Sequence, residues 1–266
     1  MNAPEPATFG AALGLVLFAL PFLVLALRRA RRVVPFRPRT GFRWRSGEAA
    51  AVIATPFVLA VVLGALVGRR PGVSDNPLFS ILASQLLLGG AVALALFFAA
   101  RRPAGLASLG LTPPPSVFGS IVLVYAPGYL AGSGILLLWT RVCQAFDWEQ
   151  QQEVLRLILG LESNALLVAA VVAGLLGPLI EELLFRGFLQ TFLEGLFGER
   201  TALLATSALF AVLHGMAGLP ALFLLSLFLG WLQQRTRSIL VPWSVHALNN
   251  TVMLTLAFTL RNPLDP

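Results

Sequence analysis

Apolar residues in this chain fall into runs of about 20, the length of an α-helix that spans the hydrocarbon core of a bilayer, at roughly 8–27, 49–68, 78–100, 117–139 and 165–185. Three more follow at about 201–217, 219–234 and 239–260, separated by very short turns. The pattern predicts eight helices and an all-α fold, a polytopic transmembrane bundle. The leading segment carries Glu5 and no basic residue, while Arg28, Arg29, Arg31 and Arg32 come after the first run. That order is a signal-anchor pattern with the N-terminus outside, not a cleaved signal peptide.

Composition agrees with the pattern. With 57% hydrophobic and 12% charged residues over 266 positions and a mean hydropathy of +0.83, the chain has too much apolar surface for one soluble core. It reads as an integral membrane protein, expected in a plasma membrane of the bacterial kind. The net charge of +7 comes from arginines placed at the ends of apolar runs, so it reports topology and gives no reason to expect nucleic acid. The lone cysteine, Cys143, excludes an intrachain disulfide and any cysteine-rich metal site.

Eight arginines between Arg28 and Arg45 place the first loop in the cytoplasm, and Arg101, Arg102, Arg235 and Arg237 return to the same side. Arg69 and Arg70 are the exception. The organisation expected is four spans over 1–140, an extracytoplasmic loop over 141–163 and a second set of helices over 164–262. In that loop Asp147, Glu149, Glu153 and Glu162 face only Arg141 and Arg156, so it shows no positive bias. Phe146, Trp148, Leu155, Ile158 and Leu161 can form one face of a surface-lying helix, or belong to a plain linker. Thr112-Pro-Pro-Pro-Ser116 reads as the stop before the fourth span.

Polar chemistry lies in the second half. The only two histidines, His214 and His246, and the cluster Glu181-Glu182-Leu-Leu-Phe-Arg186 all sit inside apolar runs. An ionisable group at the centre of a membrane helix costs about 2.5 to 3.5 kcal/mol, so three within six residues require partners or a function. Glu182 and Arg186, four apart, share a helix face and can pair, while Glu181 points about 100° away and has no local partner. Phe210 shares a face with His214, and His246 with Asn250. If the chain turns near Gly195 to Gly198, Glu181 and His214 lie at matching depth, about 24 Å from that turn. His246 lies about 12 Å past the next turn, so tilt must supply the difference.

Glu181-Glu182-x-x-x-Arg186, Phe210-x-x-x-His214 and His246-x-x-x-Asn250, in this order on successive helices, resemble the motifs of the CPBP (Abi) intramembrane protease family, which includes the type II CAAX prenyl endopeptidases. The resemblance covers about residues 165 to 255 and uses both histidines; Asn249 is the neighbouring rival to Asn250. It implies a peptide-bond hydrolysis site inside the membrane. Glu181 and His214 would activate water, and His246 and Asn250 would stabilise the oxyanion, with Glu182, Arg186 and Phe210 as support. A carboxylate in low dielectric makes a stronger base, and preorganised donors stabilise an oxyanion.

The family is commonly called a metalloprotease, and Glu181, His214 and His246 supply the His, His, Glu set of a catalytic zinc. There is no His-Glu-x-x-His helix, however, and the site can equally be written with Glu181 as a metal-free base. The partners implied are the lipid bilayer and a protein or peptide substrate, lipid-modified or not. Two other classes stay open: a binding or immunity protein that has kept the fold without hydrolysis, and a proton- or ion-coupled transporter. The polar residues are confined to one half and no internal repeat is found, which disfavours the transporter.

Overall fold

The computed structural model describes residues 6–38, 41–67, 76–116, 118–148, 153–161 and 163–260. Glu5, Arg39, Arg69, Arg70, Glu149 and Glu162 lie outside the described residues. Within them the fold is all helical. The first half comprises α1 (Pro6–Val33), α2 (Ser46–Val67), α3 (Pro77–Ala100), the single turn α4 (Gly105–Ser108) and α5 (Phe118–Ala145). The short α6 (Glu153–Leu159) leads into one long helix built from α7 (Ser163–Val171), a π-helical stretch (Val172–Leu176), α8 (Gly177–Glu182), a second π stretch (Leu183–Gln190) and α9 (Thr191–Phe197). The chain ends with α10 (Glu199–Leu213), α11 (Leu219–Thr236) and α12 (Leu240–Leu260). Each of the eight apolar runs forms one helix or helical series.

Local sequence sets several boundaries. Asn76 Oδ1 caps α3 by accepting from the Phe79 amide at 3.2 Å, and Pro77 opens the helix where no amide donor is needed. Gly215, at φ +83°, takes the left-handed conformation that stops α10. The sequence expectation of a span over 201–217 is therefore corrected. At 15 residues α10 extends about 22 Å, short of the roughly 30 Å hydrocarbon core, and His214 lies at its end. The fifth run is longer than expected, since the helix continues over Asn164–Phe197. Five helices among the described residues are long and apolar enough to cross a membrane.

The distribution of side chains is the reverse of a soluble protein's. Phe57 and Val61 of α2 are 71% and 74% exposed, whereas Glu182, Arg186, Gln190, Glu194 and Gln233 are buried. Exposed apolar faces suit lipid, and polar groups must then find partners inside the bundle. The protein is an integral membrane protein. α1 packs along α5, α2 against α3, and α10 against α11.

Polar ties gather at the arginine end of the bundle. Arg237 donates to Glu194 at 2.8 Å and Glu199 at 2.6 Å, although it occupies a left-handed conformation at φ 49° that ordinary residues avoid. The Ile239 amide donates to Gly110 O at 2.8 Å, and Ser238 Oγ to Thr112 O at 2.8 Å, so the loop before α5 is stitched to the α11–α12 turn. Arg102 pairs with Glu48. Arg235 donates to the carbonyls of Arg31 and Val34 at 2.9 and 2.8 Å.

The loop between α5 and α7 departs from a single amphipathic face. Ile158 is fully buried and packs with Ile81, Ala169 and Val172, with Leu161 beside them. Phe146 and Trp148 instead stack on each other at 5.0 Å and stay exposed. Cys143 is free and buried.

Candidate active site

α8, α10 and α12 deliver the site. Glu181 and Glu182 are the last two residues of α8, immediately before the second π stretch. Widened π turns recur at functional sites, and here they lie on both sides of the glutamates. The carbonyls of the first stretch are taken up by α12. Asn250 Nδ2 donates to Ala173 O at 3.0 Å and Trp243 Nε1 to Leu175 O at 3.0 Å.

Glu181 and Glu182 straddle His246. Glu182, fully buried, receives Arg186 Nη1 at 2.9 Å and His246 Nδ1 at 2.8 Å on the same oxygen. Arg186, equally buried, uses Nη2 to donate to Ser226 Oγ of α11 at 2.8 Å. Beneath the guanidinium lies the Phe210 ring, 4.5 Å from Cζ, which also packs on the His214 ring at 4.2 Å and edge-on to His246 at 5.7 Å. Phe210 thus supports three charged or titratable groups at once.

On the other side of His246, Glu181 Oε2 lies 3.7 Å from His214 Nε2 and 3.8 Å from His246 Nε2. It is buried and has no direct hydrogen bond. His214 Nδ1 lies 2.7 Å from Phe210 O, and a carbonyl only accepts, so Nδ1 carries the hydrogen and Nε2 faces Glu181. His246 repeats the arrangement with Glu182 as the acceptor. Separations just beyond hydrogen-bond length between polar groups suit a bridging water.

The expected pairing of Glu182 with Arg186 is observed, and Glu181, His214 and His246 come together from three helices. Asn250 stands one turn beyond His246 on α12, joined to Ala173 and, through its Oδ1, to Asn249 Nδ2 at 3.4 Å. No contact links it to Glu181. Sequence reasoning did not find Ser226, or the buried pair Gln190 and Glu194 with the half-buried Gln234 that donates to Glu194. A guanidinium has five donors and one carboxylate cannot satisfy them, which was the available signal for a second partner such as Ser226.

The donor chemistry at the site suits a zinc ion, because each histidine has Nδ1 held by an acceptor and Nε2 turned to the carboxylate, as in histidines that ligate metal. Among the described residues, however, no group of three or more His, Cys, Asp or Glu side chains is drawn together closely enough to hold an ion.

The chain is thus a helical bundle of the membrane-spanning kind with a glutamate carboxylate set between two histidines. Residues 163–252, from α7 through most of α12, match the family model of the type II CAAX prenyl endopeptidase Rce1-like proteins, consistent with a CPBP family membrane protease. The matched span contains every residue of the site. Neither the curated proteins nor the solved structures gave a match.

Proposed function

We propose that the chain is an intramembrane endopeptidase that hydrolyses a peptide bond at the membrane, in a CAAX-type tail or a leader or sorting segment. The observation that carries the reading is the convergence of two imidazole Nε2 atoms on one buried carboxylate oxygen, at 3.7 and 3.8 Å. The match of residues 163–252 to the family model supports peptide hydrolysis over other uses of such a site.

Water held between Glu181 and His214 gives a proton to Glu181 as its oxygen adds to the substrate carbonyl. The carbonyl π electrons move to oxygen, forming a tetrahedral oxyanion. His246, its Nδ1 held on Glu182, donates to it from Nε2. Asn250 uses one amide hydrogen on Ala173 and offers the second to the oxyanion. Collapse breaks the carbon–nitrogen bond, and the proton on Glu181 passes to the departing amine. Glu182 and Arg186 keep His246 in place without touching substrate. A zinc ion, if bound, would be held by Glu181, His214 and His246 and would supply Lewis-acid polarisation of the carbonyl in place of the His246 hydrogen bond.

Alanine variants at Glu181, His214, His246 and Asn250 test the reading in proteoliposomes carrying a prenylated CAAX peptide or the host's membrane proteins. Each should bind substrate near normally and lose turnover by about a hundredfold or more. If none slows cleavage but all abolish ion flux, a transporter replaces the protease.

A further inference from the structure

A second cleft borders α12 at Asn249 and Met253. α1, α5, α11 and α12 enclose a cleft of about 500 Å³, within the range of ligand pockets. None of Glu181, His214 or His246 lines it. Along α1 its wall is Val16, Leu20, Leu23 and Leu27, spaced to share one face, and the same face ends at Arg31. From Val16 to Arg31 is about 22 Å of helix, more than one leaflet's half of the hydrocarbon core. The cleft is therefore long, apolar and charged at one mouth.

Among the described residues that mouth has no counter-charge. Arg28, Arg29, Arg31 and Arg32 are exposed, and among the described residues none of them has an acidic partner. The acidic groups at this end are already engaged, Glu48 by Arg102 and both Glu194 and Glu199 by Arg237. Inside the cleft, Tyr125 Oη is buried without a hydrogen-bond partner. Tyr125 is next to Val124, which packs with Ala30 and Val34, so the hydroxyl stands near the level of the arginines.

We propose that this cleft binds one anionic phospholipid, with the phosphate at Arg31, a glycerol ester oxygen accepting from Tyr125 Oη, and an acyl chain along the leucine face of α1. The charge at the mouth selects the occupant. A zwitterionic lipid brings no net charge to Arg31 and the exposed arginines beside it, while an anionic headgroup does, worth about fivefold in affinity per basic residue near the surface. The assignment does not rest on the protease reading, although α11 and α12 border both the cleft and the glutamate site.

Native mass spectrometry of the purified full chain in detergent tests it, titrating phosphatidylglycerol and phosphatidylcholine of identical chains. One phosphatidylglycerol should bind at least fivefold tighter than phosphatidylcholine. Arg31→Gln should weaken phosphatidylglycerol about fivefold and phosphatidylcholine by less, narrowing the difference between the two lipids. Gly132→Leu fills the cleft from a position where an added Cβ meets no atom within 4 Å, and should weaken both lipids tenfold or more. Leu20→Trp repeats that block from the opposite wall, should Gly132→Leu fail to fold, and melting curves check both. Equal affinity for the two lipids in the unaltered protein, or undiminished phosphatidylglycerol binding in folded Gly132→Leu or Leu20→Trp, overturns the proposal. Displacement of the lipid by a prenylated peptide with no effect of Arg31→Gln gives the cleft to a substrate tail and overturns it equally.

Discussion

Replacing Glu182 by glutamine removes a charge from the most enclosed part of the molecule and nearly preserves shape. The carboxylate oxygen that now accepts from both Arg186, at 2.9 Å, and His246, at 2.8 Å, becomes an amide that can satisfy one of them well. Arg186 would keep its charge at 0% exposure, with the Ser226 hydroxyl and the Phe210 ring for company. Removing one member of a buried ion pair costs about 3 to 5 kcal/mol because the remaining charge is stranded. A loss near 3 kcal/mol lowers the melting temperature by roughly 6 to 12 °C in a chain of this size. Thermal unfolding in detergent, followed by tryptophan fluorescence, measures it. The companion double variant, Glu182→Met with Arg186→Met, should regain most of that loss, since an apolar pair replaces two desolvated charges. It should still hydrolyse poorly, because His246 has lost the acceptor that orients it. A Glu182→Gln protein that melts with the parent, or a double variant whose loss is the sum of its parts, would refute the reasoning.

Glu181→Gln should fold with a melting temperature within about 1 °C of the parent, given that its oxygen makes no direct hydrogen bond, and lose turnover at least about a hundredfold in single-turnover cleavage; equal destabilisation of Glu181→Gln and Glu182→Gln would undo the division of roles between them. For the zinc expectation, the outcome is loss of activity with a strong chelator, recovery with one equivalent of zinc, and no bound metal in His214→Ala by elemental analysis. Full activity in metal-stripped protein leaves Glu181 as the base alone. Topology predicts that a cysteine replacing Phe36 or Phe42 labels from outside intact cells only after permeabilisation, with the N-terminus on the opposite side; efficient labelling without permeabilisation reverses the orientation.

The helices were legible because bilayer-length apolar runs have one structural solution, and the pairing of Glu182 with Arg186 was legible because four residues bring two side chains to one helix face. The meeting of Glu181 with His214 followed from counting residues to a shared turn. Other features depend on contacts between distant segments and leave no local trace. Ser226 is one serine in an apolar helix until Arg186 is seen beside it. Arg237 at the arginine end looks like a topology marker, whereas it also closes over Glu194 and Glu199 and fixes the turn that carries α12. His246 bonding to Glu182 required knowing how α12 leans on α8. The break after His214 was written in Gly215, yet the apolar sequence around it hid the stop.

The two π stretches give the long helix a change of phase. In a regular helix each residue advances about 100°, so one side of a straight rod faces one neighbour along its length. The stretches beside Glu181 and Glu182 accommodate surplus residues without breaking the rod, and the directions of side chains before and after them are rotated relative to a regular helix. A single element can then aim its glutamates at His214 and His246, while further along it turns Gln190 to Gly230 and Glu194 to Arg237. The hydrogen bonds from Asn250 and Trp243 to the freed carbonyls act as set screws on that angle. Loosening either lets the rod relax toward regular pitch and swings the glutamates off their bearing, so the aim of the site is held as much by backbone angle as by the side chains within it.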